Sequence, residues 1–158
     1  MDAVAEEAGI SRALLYRYFP GKLVLFAAVY RRAADRLLAD IHIEPDAPLE
    51  DQIAAGLDAH FDYFLANRNA VLAANQTLAA EPLVQDIIAA ELDALRDRLA
   101  GAVASDHVAR QRISALVISW LAFVRVLSVQ WLAERNFTRE EIRAICVDAL
   151  DAVLAPRL

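Results

Sequence analysis

Val4-Ala5-Glu6-Glu7-Ala8-Gly9-Ile10-Ser11-Arg12-Ala13-Leu14-Leu15-Tyr16-Arg17-Tyr18-Phe19-Pro20-Gly21-Lys22 contains two short helical patterns with one break between them. The first runs from Ala3 to Ala8. Gly9-Ile10 ends it, because a tight turn between helices demands a positive φ that glycine adopts without steric cost. Ser11 is a good N-cap for the second helix, Arg12 to Tyr18 or Phe19, since its hydroxyl oxygen accepts from an orphan backbone N–H of the first turn. Ala5 is small enough for the second helix to cross closely. Val4, Ala8, Ile10, Leu15 and Phe19 supply the apolar contacts, which leaves Ser11, Arg12, Ala13, Tyr16, Arg17 and Tyr18 pointing outward. An exposed helix carrying hydroxyls, arginines and tyrosines suits phosphates and base edges. The segment therefore resembles a helix-turn-helix.

Outward from this stretch everything reads helical. A helix from about Lys22 to Ile41 follows the Pro20-Gly21 turn, with Leu23, Phe26, Ala27, Tyr30, Ala34, Leu37 and Leu38 at helical spacing. Glu44-Pro45-Asp46-Ala47-Pro48 is the clearest linker. It divides the chain into a head, residues 1–41, and a body, residues 46–158. In the body the patterns give helices over Leu49 to Ala66, Val71 to Ala80 and Leu83 to about Ala100, with Asn67-Arg68-Asn69 as punctuation and Gly101 near an end or bend. Ser105-Asp106 caps a long helix from His107 to Arg135, and Thr138-Arg139-Glu140-Glu141 matches a capping box for a last helix from Arg139 to about Leu154, before Pro156.

The long helix is apolar on two faces. Ile113, Val117, Trp120, Val124, Leu127 and Trp131 form one stripe; Ala115, Ile118, Ala122, Val126, Val129 and Ala133 form another, roughly opposite. Such a helix needs partners on both sides. The last helix repeats Ile142, Ile145, Cys146, Ala149 and Val153 at helical spacing. Two such helices from each of two subunits would form an intermolecular four-helix bundle, with Ala115, Ile118, Ala122, Val129, Ile142, Ile145, Ala149 and Val153 as the candidate dimer interface. Ile113 to Ala133 is also about long enough to cross a membrane. Arg125 near its middle argues against insertion, and a soluble cytoplasmic chain without a membrane partner is the expectation.

Length gives about one domain, or a small one fused to a larger one. The chain has 158 residues, 58% of them hydrophobic, and a mean hydropathy of +0.33, which excludes a disordered chain. Its 33 alanines against 4 glycines and 5 prolines leave little turn material for an all-β fold. The single cysteine, Cys146, excludes an internal disulfide framework and reads as a buried, inert thiol. The net charge of −6 hides an asymmetry: residues 1–36 sum to +2 and the remainder to −8. A basic head on an acidic body points one end at an anion.

Ala8 to Ser11, Leu15 to Phe19 and Pro20 to Lys22, followed by an apolar helix, resemble the tetracycline-repressor (TetR) family of bacterial transcription regulators. The sequence resemblance covers about the first 30 residues; the rest resembles the family in architecture, a variable all-helical body ending in two packing helices. The resemblance implies a homodimer that represses at a palindromic operator on double-stranded DNA and is released by a small molecule. Carried onto this chain, it makes Arg12 and Ala13 candidates for major-groove edges, Ser11, Tyr16, Tyr18 and Lys22 candidates for phosphates, and Arg17 a candidate for either. Leu14 stands where the family pattern usually has a hydroxyl, which removes one phosphate contact and favours thymine methyls. The family fold places another helix before this motif. Met1 falls inside what would be the second, so an incomplete DNA-binding domain is expected, with Val4, Ala8 and Leu15 partly uncovered.

Phe61, Phe64, Trp120, Phe123 and Trp131 are large rings on helices expected to face each other, lining an apolar effector cavity or filling the core. His60 and Arg125 are polar residues on these helices, placed to orient an apolar or aromatic effector or to hold an internal carboxylate. His42, His60 and His107 have no metal-ligand spacing, and no Glu-x-x-His pair, glycine-rich phosphate loop or nucleophile elbow is present. No cofactor, metal or catalytic residue is expected. The reading is an all-α, dimeric, ligand-responsive regulator. Its rivals are a stand-alone helical ligand-binding dimer and a helical-bundle enzyme.

Overall fold

The computed structural model describes residues 1–41, 47–103 and 107–155. Among these every regular element is helical: α1 (Asp2–Glu7), α2 (Arg12–Tyr18), α3 (Lys22–Asp40), α4 (Leu49–Ala66), α5 (Arg68–Leu72), a π-turn (Ala73–Thr77), α6 (Pro82–Val103), α7 (His107–Glu134) and α8 (Arg139–Leu154). The linker residues Glu44-Pro45-Asp46, the Ser105-Asp106 cap and Pro156 lie outside the described residues.

The head folds as its local chemistry dictates. Gly9 has φ +63, and the Ile10 N–H after it donates to the Ala5 carbonyl at 3.0 Å, closing the end of α1. Ser11 Oγ accepts from the Leu14 N–H at 3.1 Å and starts α2. Ala5 and Leu15 are buried against each other's helices. Leu15, expected to be partly uncovered, is 3% exposed, because α1 and the α1–α2 turn already close over it; Val4 and Ala8 are exposed as expected.

Helix α3 joins head to body. Ala27, Tyr30, Ala34 and Leu37 recur at three- and four-residue spacing and are all buried, the first three in a cluster with Ala74, Val84, Ile87 and Ile88. Small alanines there let α3 lie close along α6. The larger core combines α4, α6, α7 and α8 around Phe61, Phe64, Val117, Trp120, Leu132 and Ile142. Cys146 is fully buried in it, and burial pushes its thiol up to about 12, consistent with an inert role.

One expected element is different. In place of a helix from Val71 to Ala80, α5 begins at Arg68 and gives way to the π-turn at Ala73. The Asn67 and Asn75 side-chain amides donate to the carbonyls of Tyr63 and Val71 at 2.9 and 2.8 Å. Those bonds compete with the ordinary ladder and unwind it. Gln85 then donates to the Ala74 and Leu78 carbonyls from α6, holding the turn's end. Gly101 lies inside the last turn of α6 rather than in a bend.

Helix α7 contains a stretch, Arg110–Glu134, long and apolar enough to cross a membrane by length and composition. It runs between α6, α8, α4 and α5, and its central Arg125 is 5% exposed and ion-paired. The stripe containing Val117, Trp120, Val124 and Trp131 faces this core, whereas Ala115, Ala122, Val126 and Ala133 are exposed. Arg135 closes α7 in the left-handed region at φ 53. The Thr138–Glu141 capping box then opens α8 with both reciprocal bonds present.

Candidate functional site

The outer face of α2 is exposed along its length: Ser11, Arg12, Ala13, Leu14, Tyr16, Arg17 and Tyr18 all stand in solvent, and Lys22 does so at the first position of α3. Tyr18 is the most open of the rings at 67%. Arg12 Nε lies 2.9 Å from Asp2 Oδ1, and its guanidinium sits 5.6 Å from the Tyr16 ring centre. Both ends of the ion pair are about two-thirds exposed, so it is weak, screened by salt and easily exchanged for a phosphate. The Ser11 oxygen is committed to its cap, which leaves its hydroxyl proton to donate.

The body holds a cavity of about 60 Å³ between α4, α6 and α7, with Ile41 at the end of α3 also on its wall. Leu57, Leu92, Leu95, Trp120, Leu121 and Val124 make most of it apolar, and His60, Glu91 and Arg125 bring polar atoms to it. Of the rings expected there, only Trp120 lines it. Phe61 and Trp131 pack edge to face at 5.5 Å, and the Trp131 indole donates to the Phe137 carbonyl at 2.9 Å, so this pair fills the core beside the α7–α8 turn. Phe64 is fully buried behind the cavity, its ring centre 3.9 Å from that of His60 and 5.7 Å from the Arg125 guanidinium. Phe123 is 40% exposed. It precedes Val124 by one residue, and a helix turns about 100° per residue, which carries it off the buried face.

Arg125 on α7 is the hub of the polar end. Its Nε donates to Asn75 Oδ1 in the π-turn at 3.1 Å, its Nη1 to Glu91 Oε1 on α6 at 3.4 Å, and its Nη2 to the Tyr30 hydroxyl on α3 at 2.7 Å. Burial raises the carboxyl of Glu91 above its usual range, with Arg125 opposing that rise, and burial raises the Tyr30 phenol. His60 sits beside this cluster. Ser128 Oγ donates to the Val124 carbonyl at 2.7 Å, so the 3.1 Å contact with His60 places the imidazole proton on Nε2, donating to Ser128. Burial, reinforced by the nearby Arg125 charge, pushes the imidazole down to about 3, so it is neutral.

Glu91, Tyr30, Asn75 and Ser128 were not singled out from sequence. A signal existed for Glu91, which falls on the same stripe of α6 as Val84, Ile87, Ile88 and Leu95, an acid at a core position.

The surface expected between subunits is split. Ala115 and Ala122 are exposed, with Val126 at 61%; Ile118, Val129, Ile145, Ala149 and Val153 are half-buried. Ile142 is fully buried in the chain's own core, because α8 turns that position inward together with Cys146 and Leu150. It is thereby removed from the interface set.

Comparison with known proteins fits this architecture. Residues 1–29 match the family described as bacterial regulatory proteins, tetR family. A 109-residue segment, 66% of the chain, is 33% identical to the HTH-type transcriptional regulator RutR of Escherichia coli K12. A shorter segment of 65 residues is 32% identical to the HTH-type transcriptional activator FasR of Mycolicibacterium smegmatis. The chain spans about half the length of the RutR relatives it matches. In three dimensions, 98% of it superposes on 70% of a tetR-family transcriptional regulator from Streptomyces coelicolor, with a TM-score of 0.84 and 26% identity. Its amino-terminal segment is similar to the tetR-family model, and its fold is similar to that of a tetR-family regulator.

Proposed function

We propose that the chain is a DNA-binding transcriptional regulator, acting in the cytoplasm as a homodimer whose grip on a palindromic operator is released by a small molecule in the α4–α6–α7 cavity. The observation that carries the reading is the direct bond from Arg125 at the cavity to Tyr30 on α3, the helix that bears the head. Operator and effector then oppose each other through one coupling free energy: DNA favours the dimer with its α2 helices about 34–36 Å apart, and the effector favours another separation. A duplex selected from a random pool tests the DNA arm. Arg12→Ala is expected to weaken specific binding by about 1–3 kcal/mol and relax choice at one base pair, whereas Lys22→Ala weakens all sequences alike and lowers the salt slope by about one. Unchanged base discrimination in Arg12→Ala would rule out a groove-facing Arg12. A chain that selects no duplex, yet binds an effector, would be the stand-alone ligand module.

Support for the dimer comes from the exposed apolar side of α7. Ala122 and Val126 stand in solvent on α7, Ile145 and Ala149 of the neighbouring α8 are half-buried, and small residues allow close approach to a second copy. Ala122→Arg is expected to give monomers or aggregates by light scattering, since two unpaired cations near a two-fold axis cost several kcal/mol to bury. A well-behaved dimer of this variant would displace the interface from α7.

A further inference from the structure

The polar groups around the cavity are unevenly committed. Every donor-bearing side chain on its wall already has a protein acceptor. Gln52 donates to the Ala47 carbonyl at 2.8 Å, Arg98 to the Leu38 and Ile41 carbonyls, the Trp120 indole to the Cys146 carbonyl at 2.8 Å, His60 to Ser128, and Arg125 to its three partners. Glu91 presents an acceptor to be met. Glu91 is 2% exposed; its Oε1 takes the Arg125 bond, and its Oε2 is buried with no hydrogen-bond partner among the described residues. A buried acceptor without a partner is the costly case, so a donor brought to it is rewarded more than at an exposed site.

Charge narrows the class further. Arg125 and Glu91 cancel; Arg98, the other charged group on the wall, is exposed, so solvent screens its charge, and it is bound to the Leu38 and Ile41 carbonyls; the remaining lining is apolar or neutral. A cation would add a second positive charge beside Arg125, an anion would meet the Glu91 carboxylate, and either would have to leave its hydration behind. The volume of about 60 Å³ takes a few water-sized groups, at about 10–15 Å³ of such space for each.

We propose that the cavity selects a compact, neutral ligand with an apolar body and one N–H or O–H group, read by Glu91 Oε2. The assignment rests on the effector reading above and gives it a chemical class. Pyrrole and furan are matched probes: the same ring size, with an N–H donor in one and an ether oxygen in the other. Titration into the full chain is followed at the Trp120 indole resonance, since that ring lies on the cavity wall. Pyrrole is expected to bind about ten-fold or more tightly than furan, the factor corresponding to one net hydrogen bond. In Glu91→Gln the substituted amide turns its oxygen to Arg125 and an NH₂ to the cavity, so the preference shrinks to within about three-fold. The comparison in the unmodified chain stands even if that variant folds poorly. Equal affinities for the two probes would overturn the donor assignment and leave the cavity as an effector site. Tighter binding of pyrrolidinium or pyrrole-2-carboxylate would overturn neutrality. No response to any probe, in a chain that still shifts DNA, would remove both this assignment and the cavity as the effector site.

Discussion

Replacing Arg125 by Met is expected to lower the stability of the folded chain by about 3–5 kcal/mol, the usual cost of removing one partner from a buried ion pair. Methionine keeps an unbranched apolar stem of similar reach. What disappears is the charge facing Glu91, 2% exposed, together with the donors to Asn75 and Tyr30. Three groups on three elements lose a partner at once, and the carboxylate must either stay ionised in an apolar wall or take up a proton. Denaturant unfolding measures the loss. Combining Arg125→Met with Glu91→Met removes the stranded charge, so the double variant is expected to be more stable than the Arg125 single variant by about 1–3 kcal/mol, a coupling typical of groups in contact. A single variant within about 1 kcal/mol of the parent would mean that solvent reaches this pair.

A second large effect is in pH. His60 titrates at about 3 in the folded chain, against an ordinary value of 6.5. The unfolded chain therefore binds the proton first as acid is added. His60 contributes its full share of stability above about pH 6.5, and that share is lost as pH falls toward 3, on the order of 5 kcal/mol for the whole window. Glu91 acts in the opposite sense, since its carboxyl is raised by burial: the folded chain takes up that proton first and is relieved by it as pH drops. The difference between the parent and His60→Gln isolates the imidazole. The variant is expected to show a distinctly flatter decline between pH 6.5 and 4, and parallel curves for the two proteins would mean that His60 is solvated.

The helical class and most helix limits were legible because each rests on local chemistry. Gly9, Ser11 and Thr138 do in the structure what their side chains predispose them to do. The π-turn was not legible, since it depends on Asn75 bonding both to Val71 and to Arg125, 50 residues away. Periodicity placed Trp120 and Val124 on the inner face of α7 but could not say which rings bound a space and which fill one. Phe61 and Trp131 complete each other across helices, and that pairing is a property of tertiary packing. Arg125 was conspicuous as a cation on an apolar helix. Its acid was hidden in α6, where Glu91 follows two alanines and reads like any solvated charge unless the whole stripe from Val84 to Leu95 is drawn.

The three acceptors around Arg125 also constrain how the molecule is able to move. A guanidinium is a flat, rigid fork, and here its donors engage Tyr30 on α3, Asn75 in the π-turn and Glu91 on α6. Points on three separate bodies fix a plane. While all three contacts hold, α3 has no free hinge against α6 and α7 at this level, and small tilts would lengthen at least one bond. Side chains change by jumps between staggered wells rather than by gradual drift. A change of that one rotamer would therefore break the contacts to α3, the π-turn and α6 together, more like the release of a detent than the stretching of a spring.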